Sequence, residues 1–336
     1  MRAQIPLLPY MFRWYFQKEL PGWGKIYSAL NLGGIDNVNS DWSSAPVVTA
    51  RGKYHKYLME LDLRNDLNRY TYFTGRYYDL AVQLALDCFL RAGDAFIDGG
   101  ANVGMTMLHA ARNVGPNGKV LCFEPLPENC AKVERLIALN SLSHVSLFPE
   151  ALGDGEGQLT LNVLGGDTIM ATLRPGANLA DRRMSVQVPV TEGDKYADLL
   201  TSENVFIKLD LEGWEYYALI GFRQVIEKFR PPILVEIEPK YLREAGVEEG
   251  KLHEFFVDLN YKPYVVGVKT SYFSPPQLRL WEYQSVQDLA QLNEAGSRRF
   301  KQAQSKLGRD FHYIDVIWLP AEYSRIDYRK HLVSLE

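Results

Sequence analysis

Short apolar runs alternate with helical-period stretches over most of the chain, and that alternation predicts its architecture. Ala95, Phe96 and Ile97 form an apolar run that ends in Asp98 and a glycine-rich turn holding Gly99, Gly100, Asn102 and Gly104. The small-residue stretch MTMLHAAR follows with the character of a helix. Further strands are predicted at Lys119–Phe123, Val145–Phe148, Val205–Leu211, Ile233–Ile237, Tyr261–Val266 and Phe311–Leu319. Helices are predicted between them at Pro127–Leu139, Glu215–Phe229 and Val247–Leu259. Strands separated by helices make an α/β protein with a doubly wound, mostly parallel sheet of seven strands. Ligands of such sheets bind outside the carboxyl ends of the strands.

Outside this alternation the pattern changes. Residues 22–52 are rich in Gly, Asn, Ser and Asp and read as loops. Lys53–Leu63 and Tyr70–Thr74 read as strands of a small cap, and Asp79–Leu90 as a helix feeding the first strand of the sheet. Gly155–Val190 carries alternating runs, QLTLNVL and SVQVPV, that predict an inserted β-ribbon. Thr270–Phe300 reads as a loop and helix insertion, and Arg325–Glu336 as a charged, exposed tail. The expected organisation is a cap over residues 1–90, a main domain over 91–325 and a tail over 326–336.

Fourth-strand residues break the rule that a buried parallel strand is apolar on both faces. By the period of two, Lys208, Asp210 and Glu212 share one face, and Ile207, Leu209 and Leu211 the other. Local inconsistency of this kind is expected where a fold makes room for a site. Asp98, Glu124, Glu150, Asp210, Glu212, Glu236 and Glu238 all fall at carboxyl ends of predicted strands, so one rim is strongly acidic. The turn is D-x-G-x-N-x-G, not the G-x-G-x-x-G of dinucleotide folds. A carboxylate at its mouth repels a pyrophosphate and suits a cation, such as the amino group of S-adenosylmethionine. Glu124, ending the second strand, suits ribose hydroxyls.

These residues resemble a known family. Asp98, Gly100, Asn102, Gly104 and Glu124, with ALGD at Ala151–Asp154 and IKLDLEGWE at Ile207–Glu215, are similar to the FkbM S-adenosylmethionine-dependent methyltransferases. K-x-D-x-E-G-x-E, here Lys208, Asp210, Glu212, Gly213 and Glu215, is the most specific part, and Trp214 departs from the family's usual small or apolar residue. The resemblance implies a class I, Rossmann-like methyltransferase sheet and O-methylation of a sugar, glycan or natural-product hydroxyl. Donor-binding candidates are Asp98, Gly99, Gly100, Asn102, Gly104 and Glu124, with Glu150 and Ala151 beside the adenine. Asp210 is the candidate base or acceptor clamp, Glu212 a second carboxylate and Lys208 their partner. The alternatives are that Asp210 or Glu212 holds the methionine amino group, or that Lys208 and Asp210 form a purely structural ion pair. Gly75, Arg76, Tyr77 and Tyr78 are candidates for the cofactor mouth, and residues 168–170 for the acceptor side. Asn102 is expected to cap the first helix or bond the cofactor carboxylate.

Composition narrows the remaining choices. The chain has 336 residues, 46% apolar and 12% aromatic, which suffices for a sizeable core. A net charge of −4 gives no electrostatic reason for a nucleic-acid partner. Cys88, Cys122 and Cys130 form no CxxC and read as free buried thiols in a reducing, cytoplasmic compartment. His109 reads as a core residue, and no histidine spacing suggests a metal. Residues 5–16, IPLLPYMFRWYF, fall short of the ~20 apolar residues that span a bilayer and lack a cleavage site. They suit a helix packed on its own domain, or a weak membrane-surface or homo-oligomer contact. Rival functions are a nicotinamide-dependent oxidoreductase on the same sheet and a non-catalytic cofactor-binding module.

Overall fold

A computed structural model describes residues 7–30, 32, 42–164, 170–175, 182–248, 250–271, 274–294, 296–307 and 314–335. The chain opens with helices α1 (Leu7–Gln17) and α2 (Trp23–Ala29), a hairpin of β1 (Val47–Arg51) and β2 (Leu58–Asp62), and helix α3 (Asp66–Thr74). Two sequence expectations are corrected here. Tyr70–Thr74 is helical, not a strand, because Asn65 caps the backbone N–H of Asn68 and Gly75 ends the helix at φ +75°. Residues 22–52 also hold a helix and a strand, which turn residues mask at the level of composition.

Helix α4 (Leu80–Phe89) leads into β3 (Ala95–Gly99), α5 (Met105–Val114), β4 (Lys119–Phe123), α6 (Pro127–Asn140) and β5 (Val145–Phe148). A ribbon follows, made of β6 (Ala151–Leu152), β7 (Gly157–Leu164), β8 (Met170–Thr172) and β9 (Arg182–Thr191). The main sheet resumes with β10 (Val205–Leu209), α7 (Glu215–Gly221), α8 (Arg223–Phe229), β11 (Ile233–Ile237), α9 (Pro239–Glu244), α10 (Lys251–Asp258) and β12 (Tyr261–Lys269). Strand β13 (Gln277–Glu282), helices α11 (Val286–Asn293) and α12 (Arg298–Leu307) and β14 (Ile314–Pro320) complete it.

Among the described residues the main sheet has 8 strands in the order β13-β12-β14-β11-β10-β3-β4-β5. Seven are the expected ones; β13 lies within the segment read as loop and helix and adds an antiparallel edge. Parallel pairing of β3 with β4 and β10 makes β3 the central strand, where the connection order reverses. Phe96, Val120, Cys122, Phe206 and Leu234 join the cap and α4–α5 in one core, and Ile97, Leu121, Phe123, Ile207 and Val235 join α7, α8 and α10 in another. The first core runs from Phe16 to Tyr328, so the cap has no separate interior.

The tail is exposed as expected at Arg325, Asp327, Arg329, Lys330, Leu332 and Ser334, yet it is docked at several points. Tyr328 and Leu335 are buried, Leu332 bridges Leu280, and Arg325 makes two 2.7 Å bonds to the Asp94 carboxylate. Helix α1 packs on its own domain, the first of the sequence alternatives. Phe16 is fully buried against Tyr27 and Phe73, while Tyr10, Met11 and Trp14 are exposed on the other face. No helix among the described residues is long and apolar enough to cross a membrane.

Candidate active site

The β3–α5 turn is shaped by backbone constraints that select its residues. Gly100 has φ +76°, and a Cβ there would lie 2.0 Å from the carbonyl oxygen of Asp210. Asn102 follows at φ +49°, and Gly104 at +80°. Asn102 does not cap α5; Gly104 holds the cap position without a side-chain bond. Asn102 instead donates its backbone N–H to Glu124 Oε2 at 2.8 Å, and its side-chain oxygen accepts from Asn129 at 3.3 Å. Glu124 Oε1 accepts from the backbone N–H of Leu126 at 2.9 Å. Glu124 thereby ties the glycine turn to the end of β4. Burial raises its carboxyl to about 7 against the backbone donors that favour its charged form.

The β10–α7 connection is built the same way. Strand β10 ends at Leu209, two residues earlier than its pattern predicts, so Asp210 and Glu212 stand on a turn and not along one strand face. Glu212 has φ +55° and Gly213 φ +99°. Glu215 Oε1 folds back to accept from the N–H groups of Leu211 (2.8 Å) and Gly213 (3.1 Å). The E-G-x-E spacing is therefore a local turn that carries its own cap. On its outer side Thr172 donates to the Glu212 carbonyl at 3.0 Å. Arg174 bonds Thr172 and Glu244 and lies 3.6 Å from the centre of the Tyr241 ring. The ribbon is thus fastened to the turn and to α9.

A cleft runs along the rim between these two turns. It is lined by Gly100, Asn102, Phe123, Glu124, Glu150, Ala151, Asp210, Glu212 and Trp214, with Leu161, Ala171 and Leu173 of the ribbon over them. Seven of the sequence candidates are brought together: Gly100, Asn102, Glu124, Glu150, Ala151, Asp210 and Glu212. Four candidates lie behind the wall. Asp98, expected at the mouth, is fully buried in the central strand β3, in register with Lys208 of β10 and Cys122 of β4, and does not line the cleft. Lys208 is also buried, Gly99 abuts Leu209 and Leu152, and Gly104 abuts α6 and Met107. Arg76 does not reach the mouth either; it pairs with Glu19 at the end of α1. Residues 168 and 169 lie outside the described residues.

Lys208 organises the charges behind the cleft. Its Nζ lies 3.1 Å from Asp210, 3.5 Å from Asp98 and 3.3 Å from the Gly100 carbonyl. Burial raises the Asp98 carboxyl to about 6 despite Lys208, and neither oxygen has a hydrogen-bond donor. Asp210 remains below its usual range because Lys208 and a hydrogen bond with Glu236 overcome its burial. Glu236 is pushed far up by burial and by the Asp210 charge, so it carries the proton of that pair. Burial and the Asp210 and Glu215 charges lift Glu212 to about 8, and its Oε2 has no partner.

Several contributors were hidden from the sequence. Trp214 lines the cleft with its indole N–H unpartnered, as its departure from the family pattern hints. Tyr196 bonds Glu150 and packs on Phe123 and Phe148. Glu236 was legible only as a rim acid, because its bond to Asp210 depends on the pairing of β10 with β11.

The lining fits S-adenosylmethionine. Four lining residues are carboxylates and none is basic, which favours a sulfonium and an ammonium and opposes a dinucleotide pyrophosphate. The glycine cradle at Gly100, the Glu124 carboxylate and the unpartnered Glu212 oxygen supply close backbone approach and acceptors for such a ligand. Free volume in the cleft is about 80 Å³, with Leu161, Ala171 and Leu173 of the ribbon and Trp214 in its lining.

Comparison with known proteins agrees. The sequence profile described as the methyltransferase FkbM domain matches residues 98–263. Over 209 residues the chain is 29% identical to Methyltransferase sdnD of Sordaria araneosa, covering 53% of this chain and 78% of that protein. It is 26% identical over 206 residues to Methyltransferase 1 of Beauveria bassiana (strain ARSEF 2860), covering 56% and 79%. A crystal structure of methyltransferase FkbM from Methylobacillus flagellatus KT aligns at 16% identity with a TM-score of 0.40. That match spans 78% of this chain and 60% of the bacterial protein, under two thirds of its length. With its switch-point cleft and acidic rim, this chain carries a methyltransferase FkbM domain over residues 98–263 and is an S-adenosylmethionine-dependent methyltransferase.

Proposed function

We propose that the protein O-methylates a hydroxyl of a sugar, glycan or other natural product. One observation carries this reading: two carboxylates on one cleft wall, Asp210 and Glu212, are driven apart in proton affinity. Such divergence marks groups with different acid–base roles. In this assignment Asp98, Gly99, Gly100, Asn102, Gly104, Glu124, Glu150 and Ala151 make up the donor site. Gly100, Asn102, Glu124, Glu150 and Ala151 line it, while Asp98, Gly99 and Gly104 hold it from behind.

When bound, the sulfonium supplies an electrophilic methyl group. Asp210, kept charged by Lys208, orients the acceptor hydroxyl, and Lys208 acts as a positioning residue. Glu212, whose affinity for a proton lies near neutral pH, takes the hydroxyl proton as the oxygen attacks. Orientation of the two reactants contributes up to roughly 7–11 kcal/mol, and the base another 10²–10⁴-fold, on order-of-magnitude grounds. Free thiols at Cys88, Cys122 and Cys130 support a reducing, cytoplasmic setting.

The test is transfer of labelled methyl from S-adenosylmethionine to metabolites of a cell extract, followed from pH 6 to 9.5. The rate should rise through about pH 8 in the wild type. Glu212→Gln should lower it by ~10²–10⁴-fold and flatten the profile. A wild-type rate independent of pH over this range, or full activity in Glu212→Gln, would remove Glu212 from the reaction.

A further inference from the structure

Beyond the acidic cleft the molecule holds a second cavity of about 500 Å³, well within the ~300–1,000 Å³ of small-molecule sites. Its walls are Ile237, Leu242, Val247 and Leu252 on one side and Tyr283 and Leu289 on the other. The wall includes two polar groups with no partner, the buried Tyr283 hydroxyl and His253 Nδ1. Of the charged lining residues, Lys240, Arg243 and Glu294 stand at the exposed rim, and the half-buried Glu238 stands at the end nearest Glu236. Tyr283, Val286, Leu289 and Ala290 lie beyond residue 263, where the match to the family profile ends.

Position links the cavity to the cleft. Ile237 and Glu238 line it, and Glu238 is two residues past Glu236, the partner of Asp210. Two residues of extended chain span about 7 Å. Helix α9 joins the two regions: Leu242 and Arg243 line the cavity, and Tyr241 of the same helix stacks under Arg174, which bonds Thr172 beside the Glu212 turn.

We infer that this cavity holds the apolar body of the methyl acceptor, so that the acceptor is an amphiphile with a hydrocarbon-rich body and a hydroxyl-bearing head at the Asp210 rim. The inference rests on the transferase reading above and adds the substrate class.

The probe is 1-anilinonaphthalene-8-sulfonate, titrated by fluorescence against wild type and Ala290→Trp, which blocks the mouth from an exposed helix position. Wild type should give a saturable signal unaffected by S-adenosylhomocysteine. Hexyl, octyl and decyl glucosides below their micelle concentrations should displace it, with affinity rising about fourfold per methylene. Ala290→Trp should lose at least tenfold in probe affinity while keeping its melting temperature and its S-adenosylhomocysteine affinity. No saturable signal, displacement by S-adenosylhomocysteine, or displacement independent of chain length overturns the site. In the labelled-extract assay, product should partition into the organic phase and fall at least tenfold with Ala290→Trp. Water-soluble product, or product unaffected by the variant, overturns the acceptor assignment. Label in neither phase refutes the transferase reading on which the assignment rests, whatever the probe shows.

Discussion

Lys208→Met is the most informative single change. Lys208 is 7% exposed at its side chain and lies between Asp98, which is fully buried, and Asp210. Without the ammonium, Asp98 keeps no ion partner and no hydrogen-bond donor. Removing one member of a buried pair costs ~3–5 kcal/mol, because the other charge is left uncompensated in a poorly polarisable interior. Unfolding entropy of about 2.1 cal/mol/K per residue gives roughly 0.7 kcal/mol/K for the whole chain. The midpoint should therefore fall by about 4–7 °C at pH 7.5. Asp98, already raised to about 6, climbs further once Lys208 is gone and escapes by taking a proton. The loss should thus be smaller at pH 5.5. Adding Asp98→Asn to Lys208→Met removes the stranded charge, so the double variant should melt above the single one. Calorimetry of the four proteins at both pH values is the assay. The reasoning fails if the single variant is as stable as wild type, if its loss is equal at both pH values, or if the double variant is the less stable.

Further predictions concern the turn and the rim. Gly100→Ala places a methyl 2.0 Å from the Asp210 carbonyl at a positive φ, so S-adenosylhomocysteine affinity by calorimetric titration should fall at least ~10-fold. Glu124→Gln sets an amide N–H₂ against one of two backbone donors, at about 1.5–3 kcal/mol by the worth of hydrogen bonds to charged groups. Its melting temperature and cofactor affinity should drop together. Asp98 at about 6, Glu124 and Glu215 at about 7 and Glu212 at about 8 all sit above their unfolded values near 4. Each favours the folded state when protonated, so this stabilisation is complete below about pH 4 and is lost as pH rises through 6–8. The apo protein should melt at lower temperature at pH 8.5 than at pH 5.5 in circular dichroism; a rise over that interval would contradict the burial of these carboxyls.

The sequence by itself determined the seven-strand alternation, the glycine turn and the acidic rim. Each is a local property: apolar runs of strand length, residues that tolerate positive φ, and carboxylates at strand ends. Trp214 was also legible, as a departure from an otherwise close pattern. Tertiary structure alone decided which acids face the cleft. Asp98 and Asp210 look alike along the chain, yet Asp98 lies inside the sheet in register with Lys208, while Asp210 stands past the end of β10 on the turn that lines the cleft. Glu212 left its predicted strand face because Glu215 closes a turn around it, an outcome set by two hydrogen bonds and not by periodicity. The eighth strand, the docked tail and the apolar cavity under α9 and α11 depend on contacts between segments far apart in the chain. A residue's proton affinity, like its exposure, is a property of the neighbours that folding brings to it.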